Sequence, residues 1–112
     1  MKQPKTQAYS RYSADAVQLM SSLIKVARKE RKLTVQDIAD RAGISRGLVQ
    51  RIEKGDMKCS IGAVFEVAAI LNIKLFDSDK NSLSSHIRQN EEKLALMPKS
   101  IRKKTRVIKD DF

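Results

Sequence analysis

Apolar residues recur every three or four positions up to Leu71, and this spacing predicts a series of amphipathic helices. The first predicted helix is capped by Ser13, and Asp15 suits the positive end of its dipole. Its apolar stripe consists of Val17, Met20, Leu23, Ile24 and Ala27. The residues expected on its solvent side are Gln18, Ser21, Lys25 and Lys29. Residues 1–13 lack periodicity and are predicted to form a flexible arm.

Two shorter helices are predicted next, separated by a tight turn. Thr34 and Asp37 have the spacing of a capping box, and Gly43 is placed to end the helix in a left-handed conformation. The inner face of this helix consists of Ile38, Ala39 and Ala42. Ser45 can cap the following helix, which runs to about Lys54 and ends at Gly55. Its inward residues are Val49 and Ile52.

The pattern changes after a fourth helix, which Ser60 caps. The stripe of this helix is predicted to be Ile61, Val64, Phe65, Ala68 and Leu71. The segment 73–76 is short, β-branched or aromatic, and bounded by polar residues, which predicts a strand that must pair with a second copy of the chain. A further helix is expected within 82–97, before Pro98. The basic stretch after Pro98 is expected to be disordered until bound.

These predicted helices place the chain in the all-α fold class, and its net charge indicates what kind of partner it binds. The 112 residues carry 23 Lys and Arg against 13 Asp and Glu, a net charge of +10. Such a charge favours polyanionic partners: DNA, RNA or an acidic membrane surface. The single Cys59 excludes an internal disulfide and fits a reducing compartment. With no apolar run of membrane-spanning length and no signal-peptide core, the protein is expected in the cytoplasm.

The two short helices around Gly43 have the arrangement of a helix-turn-helix motif. With Val49 and Ile52 inside, the opposite side of the second helix presents Arg46, Gln50 and Arg51. In the major groove Arg can take guanine O6 and N7 together, and Gln can take adenine N6 and N7. The alternative interpretation is an ordinary solvated polar face. The turn and the net charge favour DNA reading over this alternative.

Residues 33–55, LTVQDIADRAGISRGLVQRIEKG, resemble the lambda-repressor/Cro (XRE) class of helix-turn-helix regulators. The resemblance covers roughly residues 15–76 and implies a four- or five-helix domain that binds a palindromic operator as a homodimer. It implies base contacts at Arg46, Gly47 and Arg51, with Ser45 as the cap of the recognition helix. Further implied DNA contacts are Leu48, Gln50, Lys54 and Lys58. Arg28 and Glu53 match a structural ion pair of the family.

Two positions depart from the family pattern. Val35 stands where many members have a phosphate-binding Gln, and Gln36 follows one residue later as a substitute DNA contact. Gly47 stands where a base-reading side chain is common, although a glycine itself reads nothing. We interpret Gly47 as a place where the helix backbone approaches the base edges.

Both ends of the chain resemble HipB-type antitoxins, which are encoded beside HipA-type Ser/Thr kinase toxins. The resemblance rests on the polar arm, the strand after the fourth helix, the stretch LALMPKSIR and the terminal Asp-Asp-Phe. It implies that the strand closes a dimer through Ile73, Leu75 and Phe76, and that a HipA-like kinase is a partner. The pattern along the chain predicts an arm (1–13), a DNA-binding domain with its strand (14–77) and a C-terminal extension with a short helix and a basic tail (78–112). The alternative for the tail is a solvated segment that adds non-specific DNA affinity.

No enzyme is predicted. His86 stands alone and Cys59 is far from it in sequence, so no metal set, catalytic dyad or cofactor site is expected. The favoured interpretation is an autoregulating repressor and antitoxin in a bacterial or phage-encoded system. The alternatives are a phage-type lysogeny regulator, and a protein-interaction module for which DNA binding is secondary.

Overall fold

Five α-helices account for most of residues 8–76 and 79–103, which are the residues that the computed structural model describes. They are α1 (Arg11–Glu30), α2 (Val35–Ala42), α3 (Arg46–Glu53), α4 (Ile61–Ile70) and α5 (Lys80–Ala95). The predicted all-α class is confirmed. The chain divides into two units, Met1–Asp77 with α1 to α4 and Ser78–Phe112 with α5.

The core of the first unit lies where α2 packs against both α3 and α4 and where α1 packs against α3. Its buried side chains are Ile24, Ile38, Ala39, Val49, Ile52, Val67 and Leu71. Truncating a buried Ile or Leu to Ala generally costs about 2–5 kcal/mol, because the lost burial is joined by a cavity. Val49 and Ile52 of α3 belong to this small set, so a few strongly stabilising side chains fix the position of α3.

The predicted start and end of α2 and the predicted starts of α3 and α4 are confirmed. Thr34 and Asp37 form the reciprocal capping box of α2, and Gly43 ends that helix with φ of 69°. At the starts of α3 and α4, the Ser45 and Ser60 hydroxyls accept hydrogen bonds from the backbone N–H groups three residues later, those of Leu48 and Ala63. These bonds satisfy amides that have no partner within a helix.

The start of α1 differs from the prediction. The cap is Ser10, whose hydroxyl accepts from the Ser13 N–H at 3.1 Å, so Ser13 lies inside the helix. Both serines can cap, and neither Arg11 nor Tyr12 breaks a helix, so the earlier cap adds helical residues at no cost in hydrogen bonds. Asp15 is consequently outside the first turn and instead lies 3.7 Å from Arg11 on an exposed face. The predicted arm ends three residues earlier than expected, and its residues 1–7 lie outside the described part of the chain.

The buried stripe of α1 is rotated relative to the prediction. Leu23 is 44% exposed, whereas Ser21, expected in solvent, is only 6% exposed. The Ser21 hydroxyl donates a hydrogen bond of 2.7 Å to the carbonyl oxygen of Ile52. Ser21 is therefore buried because it satisfies a carbonyl in the last turn of α3, which a leucine could not do.

The stripe of α4 is also shifted. Ile61, in the first turn of the helix, is 69% exposed, and Phe65 is only partly buried. Val67, which was not predicted to face inward, is fully buried beside Ala68 and Leu71. The fully buried residues of this segment therefore lie at the C-terminal end of α4.

The predicted strand at 73–76 does not form a strand within the described residues. Asn72 and Phe76 have φ of 60° and 56°, so the chain turns at both ends of the segment. The Ile73 N–H donates to the Ala68 carbonyl oxygen at 2.9 Å and closes the end of α4. Within residues 73–76, Leu75 alone takes part in a β-type bridge. A strand that needs a second copy has no ladder to join in one chain.

In the second unit, α5 is capped by the Asp79 carboxylate, which accepts from the Ser82 N–H at 2.8 Å. The expected helix within 82–97 is present and begins two residues earlier, at Lys80. Its exposed apolar side chains include Ile87 and Leu94. Residues 98–103 have no regular structure, and the rest of the predicted basic tail lies outside the described residues.

Candidate nucleic-acid interface

The turn between α2 and α3 is set by local hydrogen bonds. Gly43 donates its N–H to the Ala39 carbonyl oxygen, and the Ile44 N–H donates to the same oxygen at 3.1 Å. Ile44 packs its side chain against the core, so the turn is anchored between its glycine and the cap at Ser45. This is the geometry of a helix-turn-helix, in which α3 is the second helix.

The two sides of α3 differ sharply in exposure. Val49 and Ile52 are buried, and Leu48 is partly buried and packs against the core. The remaining side is exposed and carries Ser45, Arg46, Gly47, Gln50, Arg51 and Lys54. The residues of α3 and its two caps that are proposed to contact DNA therefore share one exposed surface, with the exception of Leu48. Leu48 instead packs partly against the core.

Gly47 is required neither by the backbone nor by packing. Its φ is not positive, and a methyl group built at its Cα would have only the Ser45 hydroxyl oxygen as a neighbour, at 4.0 Å. A helix-interior glycine costs roughly 0.5–1 kcal/mol relative to alanine. Nothing in the described part of the chain therefore accounts for this glycine.

Arg51 is held by the loop that follows α3. Its Nε donates to Asp56 Oδ2 at 2.8 Å, while Asp56 Oδ1 accepts the Lys58 N–H at 2.8 Å. The hydrogen bond from Arg51 lowers the pKa of the Asp56 carboxyl, and the hydrogen bond from the Lys58 amide lowers it to a smaller extent. The bond to Asp56 in turn raises the pKa of Arg51. Asp56 was not predicted as a site residue. The spacing of five residues across a helix end gives no periodic signal.

Arg28 and Glu53 form a buried, two-pronged ion pair between α1 and the last residue of α3. Nε and Nη2 of Arg28 donate to the two Glu53 carboxylate oxygens at 2.7 and 2.9 Å. Their side chains are 11% and 5% exposed, and Arg28 Nη1 also donates to the Leu33 carbonyl oxygen. The hydrogen bond to Glu53 raises the pKa of Arg28. The pair fixes the C-terminal end of α3 relative to α1.

The remaining predicted contacts are more scattered. Gln36 is exposed, and its Nε2 donates to Asp40 Oδ1 at 2.9 Å, one turn further along α2. Val35 packs against the core, which explains why a polar residue is absent there. Lys58 is exposed in the loop after α3.

The residues proposed for the dimer interface have different environments. Ile73 packs against the core of its own chain. Leu75 is partly buried, and Phe76 is exposed but meets the Phe65 ring edge-on, with centroids 6.1 Å apart. Leu75 and Phe76 are therefore the members of this set best placed to meet a second molecule.

A helix-turn-helix family model matches residues 24–77. The match supports assignment of this segment to XRE-type helix-turn-helix domains and indicates a DNA-binding transcription regulator, a class that is not typically enzymatic. The comparisons with curated proteins and with solved structures returned no match. No helix in residues 8–76 or 79–103 is long and apolar enough to cross a membrane, and no group of metal-binding side chains is found in those residues.

Proposed function

We propose that the protein is a sequence-specific transcriptional repressor that inserts α3 into the DNA major groove. The observation that carries this proposal is the division of α3 into a buried side and an exposed side rich in hydrogen-bond donors. Arg46 and Arg51 can each contact guanine, and Gln50 can contact adenine. Lys54, Lys58 and Gln36 are suited to phosphates at the rim of the groove.

The proposed active form is a homodimer on a palindromic operator. Leu75 and Phe76 would pair with their twofold mates and set two α3 helices roughly 34 Å apart, one turn of DNA. Among the described residues, the β-type bridge at Leu75 favours a segment that can take an extended conformation. The positive charges around α3 would make the affinity fall steeply with salt.

Selection of bound sequences from random duplexes tests the proposal directly. A repressor of this kind enriches an inverted repeat, and Arg51→Ala then costs about 1–3 kcal/mol of binding free energy and relaxes one base pair in each half-site. Equal loss of affinity for every duplex would contradict base reading by Arg51.

The finer proposal is that the protein is the antitoxin of a kinase toxin and regulates its own operon. The resemblance of the chain ends to HipB-type antitoxins supports it. Deletion of residues 98–112 tests it: operator affinity should be kept, whereas binding of the kinase encoded beside the gene should be lost. Unchanged kinase binding would remove the tail from the proposal. A neighbouring phage gene in place of a kinase would favour a lysogeny regulator.

A second candidate function is a protein-interaction module. It is favoured by α5, which exposes Ile87 and Leu94 in a unit separate from the helix-turn-helix. A full chain that binds a partner protein but shows no sequence preference in the duplex selection would support this function instead.

A further inference from the structure

The loop after α3 holds Asp56 in one position. Gly55 has φ of 80°, which turns the chain back so that the Asp56 N–H donates to the Arg51 carbonyl oxygen at 3.1 Å. The Asp56 carboxylate in turn accepts the Lys58 N–H through one oxygen and Arg51 Nε through the other, both at 2.8 Å. Asp56 is thus bound to the backbone at two points before it binds the Arg51 side chain.

Only part of the Arg51 guanidinium is used by this contact. Within the part of the chain that the structure describes, its hydrogen bond to Asp56 is made through Nε, and the side chain is still 51% exposed. Nη1 and Nη2 retain four N–H donors in one plane. Guanine O6 and N7 require two parallel donors, and these can come from the two Nη atoms approaching end-on.

The charge of Asp56 argues against a simple role in DNA affinity. A carboxylate beside α3 repels phosphates and offsets one of the cations that would attract them. An arginine without such a partner has several rotatable bonds and can contact phosphate as readily as a base. Holding Nε fixes the direction of the remaining donors, which lowers the entropy lost when a base is bound.

From this geometry we propose that Asp56 is a specificity-determining positioning residue, which directs the Nη atoms of Arg51 at one guanine in each operator half-site. This inference rests on the proposed function and deepens it. Asp56 itself makes no base contact. Asp56 lowers the general affinity for DNA and raises discrimination at the base pair that Arg51 reads.

The test uses the full-length protein and the operator found by duplex selection. Dissociation constants are measured for that operator, for operators altered at single base pairs, and for an unrelated duplex. Asp56→Ala should bind the unrelated duplex more tightly while its discrimination at the Arg51 base pair falls by about tenfold, the scale of one bidentate contact. Discrimination at the pair read by Arg46 should be unchanged. Asp15→Ala, which removes an exposed acid from α1, is the matched control for charge.

Two further variants separate positioning from a general role in the loop. Asp56→Asn keeps the shape and an oxygen acceptor, so it should lose less discrimination than Asp56→Ala. In an Arg51→Ala background, Asp56→Ala should cause no further loss of discrimination, because its partner is gone. Circular dichroism of each variant reports whether the fold is kept.

Each contrary result has a distinct meaning. A wild-type protein that prefers no duplex sequence overturns the proposed function and this inference together. A specific wild type whose discrimination survives Asp56→Ala overturns the inference alone. Equal losses of discrimination at every base pair after Asp56→Ala or Asp56→Asn would make Asp56 a structural loop residue and would likewise reject positioning of Arg51.

Discussion

At the scale of single residues, Gly47 and Arg51 show two ways in which α3 departs from an ordinary surface helix. Gly47 has room for a side chain and a backbone that would accept one. Arg51 is held by Asp56 through one nitrogen, and its side chain is 51% exposed. The glycine costs the free protein helix stability with no return in its packing. For both residues the proposed role is in contact with DNA.

Gly47→Ala is expected to stabilise the free protein by roughly 0.5–1 kcal/mol, because alanine is the better helix former and meets open space. The same variant should bind the operator more weakly, since the methyl group would keep α3 away from the base edges. Urea unfolding and gel-shift titration measure the two effects.

Gly62→Ala is the matched control for this prediction. Gly62 also lies in a helix, α4, with open space around the position of a methyl group. Its variant should gain stability without changing operator affinity. A Gly47→Ala protein that binds the operator as tightly as the wild type would rule out the backbone-approach interpretation of Gly47.

At the scale of elements, α3 is held at both ends by bonds to other helices or to the turn. Its start depends on the Ser45 cap and the turn from α2, and its end depends on Ser21 and on the Arg28–Glu53 pair. These contacts determine how the exposed side of α3 is presented.

Glu53→Ala should destabilise the fold by about 3–5 kcal/mol, because it leaves the Arg28 guanidinium buried without its counter-charge. The double variant Arg28→Met/Glu53→Leu removes both charges and should be markedly less unstable. Chemical unfolding of the two variants provides the comparison. If the single variant is the more stable of the two, the buried pair does not act as described.

The start of α2 should make stability depend on pH at the acid end. The Thr34 N–H bonds to Asp37 and holds the pKa of that carboxyl below its ordinary 3.8. A lowered folded-state pKa contributes stability above the unfolded value, and that contribution is lost as pH falls through the folded one. Thermal melts of Asp37→Asn should therefore lie below those of wild type near neutral pH and converge with them in acid. A difference that stays constant down to low pH would contradict this linkage.

At the scale of the whole molecule, the segment after α4 joins the helix-turn-helix unit to α5 and is the proposed dimer contact. Ile73 is committed to the core of its own chain, so its replacement would confuse folding with association. Leu75 and Phe76 are the informative positions.

Leu75→Ser is expected to shift the protein from dimer to monomer, because it removes apolar area from the proposed pairing segment. Operator binding should weaken, since each monomer must then bind its half-site without the second protomer. Sedimentation velocity measures the association, with Lys74→Gln as a control on the exposed neighbouring residue. A Leu75→Ser protein that remains dimeric would place the interface elsewhere.

Local chemistry in the sequence determined where α2, α3 and α4 begin and how α2 ends. Thr34 with Asp37, Ser45 and Ser60 satisfy amides a few residues away, and Gly43 adopts the left-handed conformation at little steric cost. No distant residue is needed to identify these ends. The helical spacing of apolar residues identified Val49 and Ile52 as the buried side of α3, and thereby also identified the exposed side opposite them.

Only the tertiary structure decided which long helix faces were buried and which polar groups were paired. Ser21 is buried and Leu23 exposed because α1 meets a carbonyl of α3, and helical spacing cannot register that carbonyl. Asp56 reaches Arg51 because Gly55 reverses the chain after α3, beyond the end of any periodic pattern. Spacing along a helix predicts which residues share a face, but a partner outside the helix determines what that face contacts.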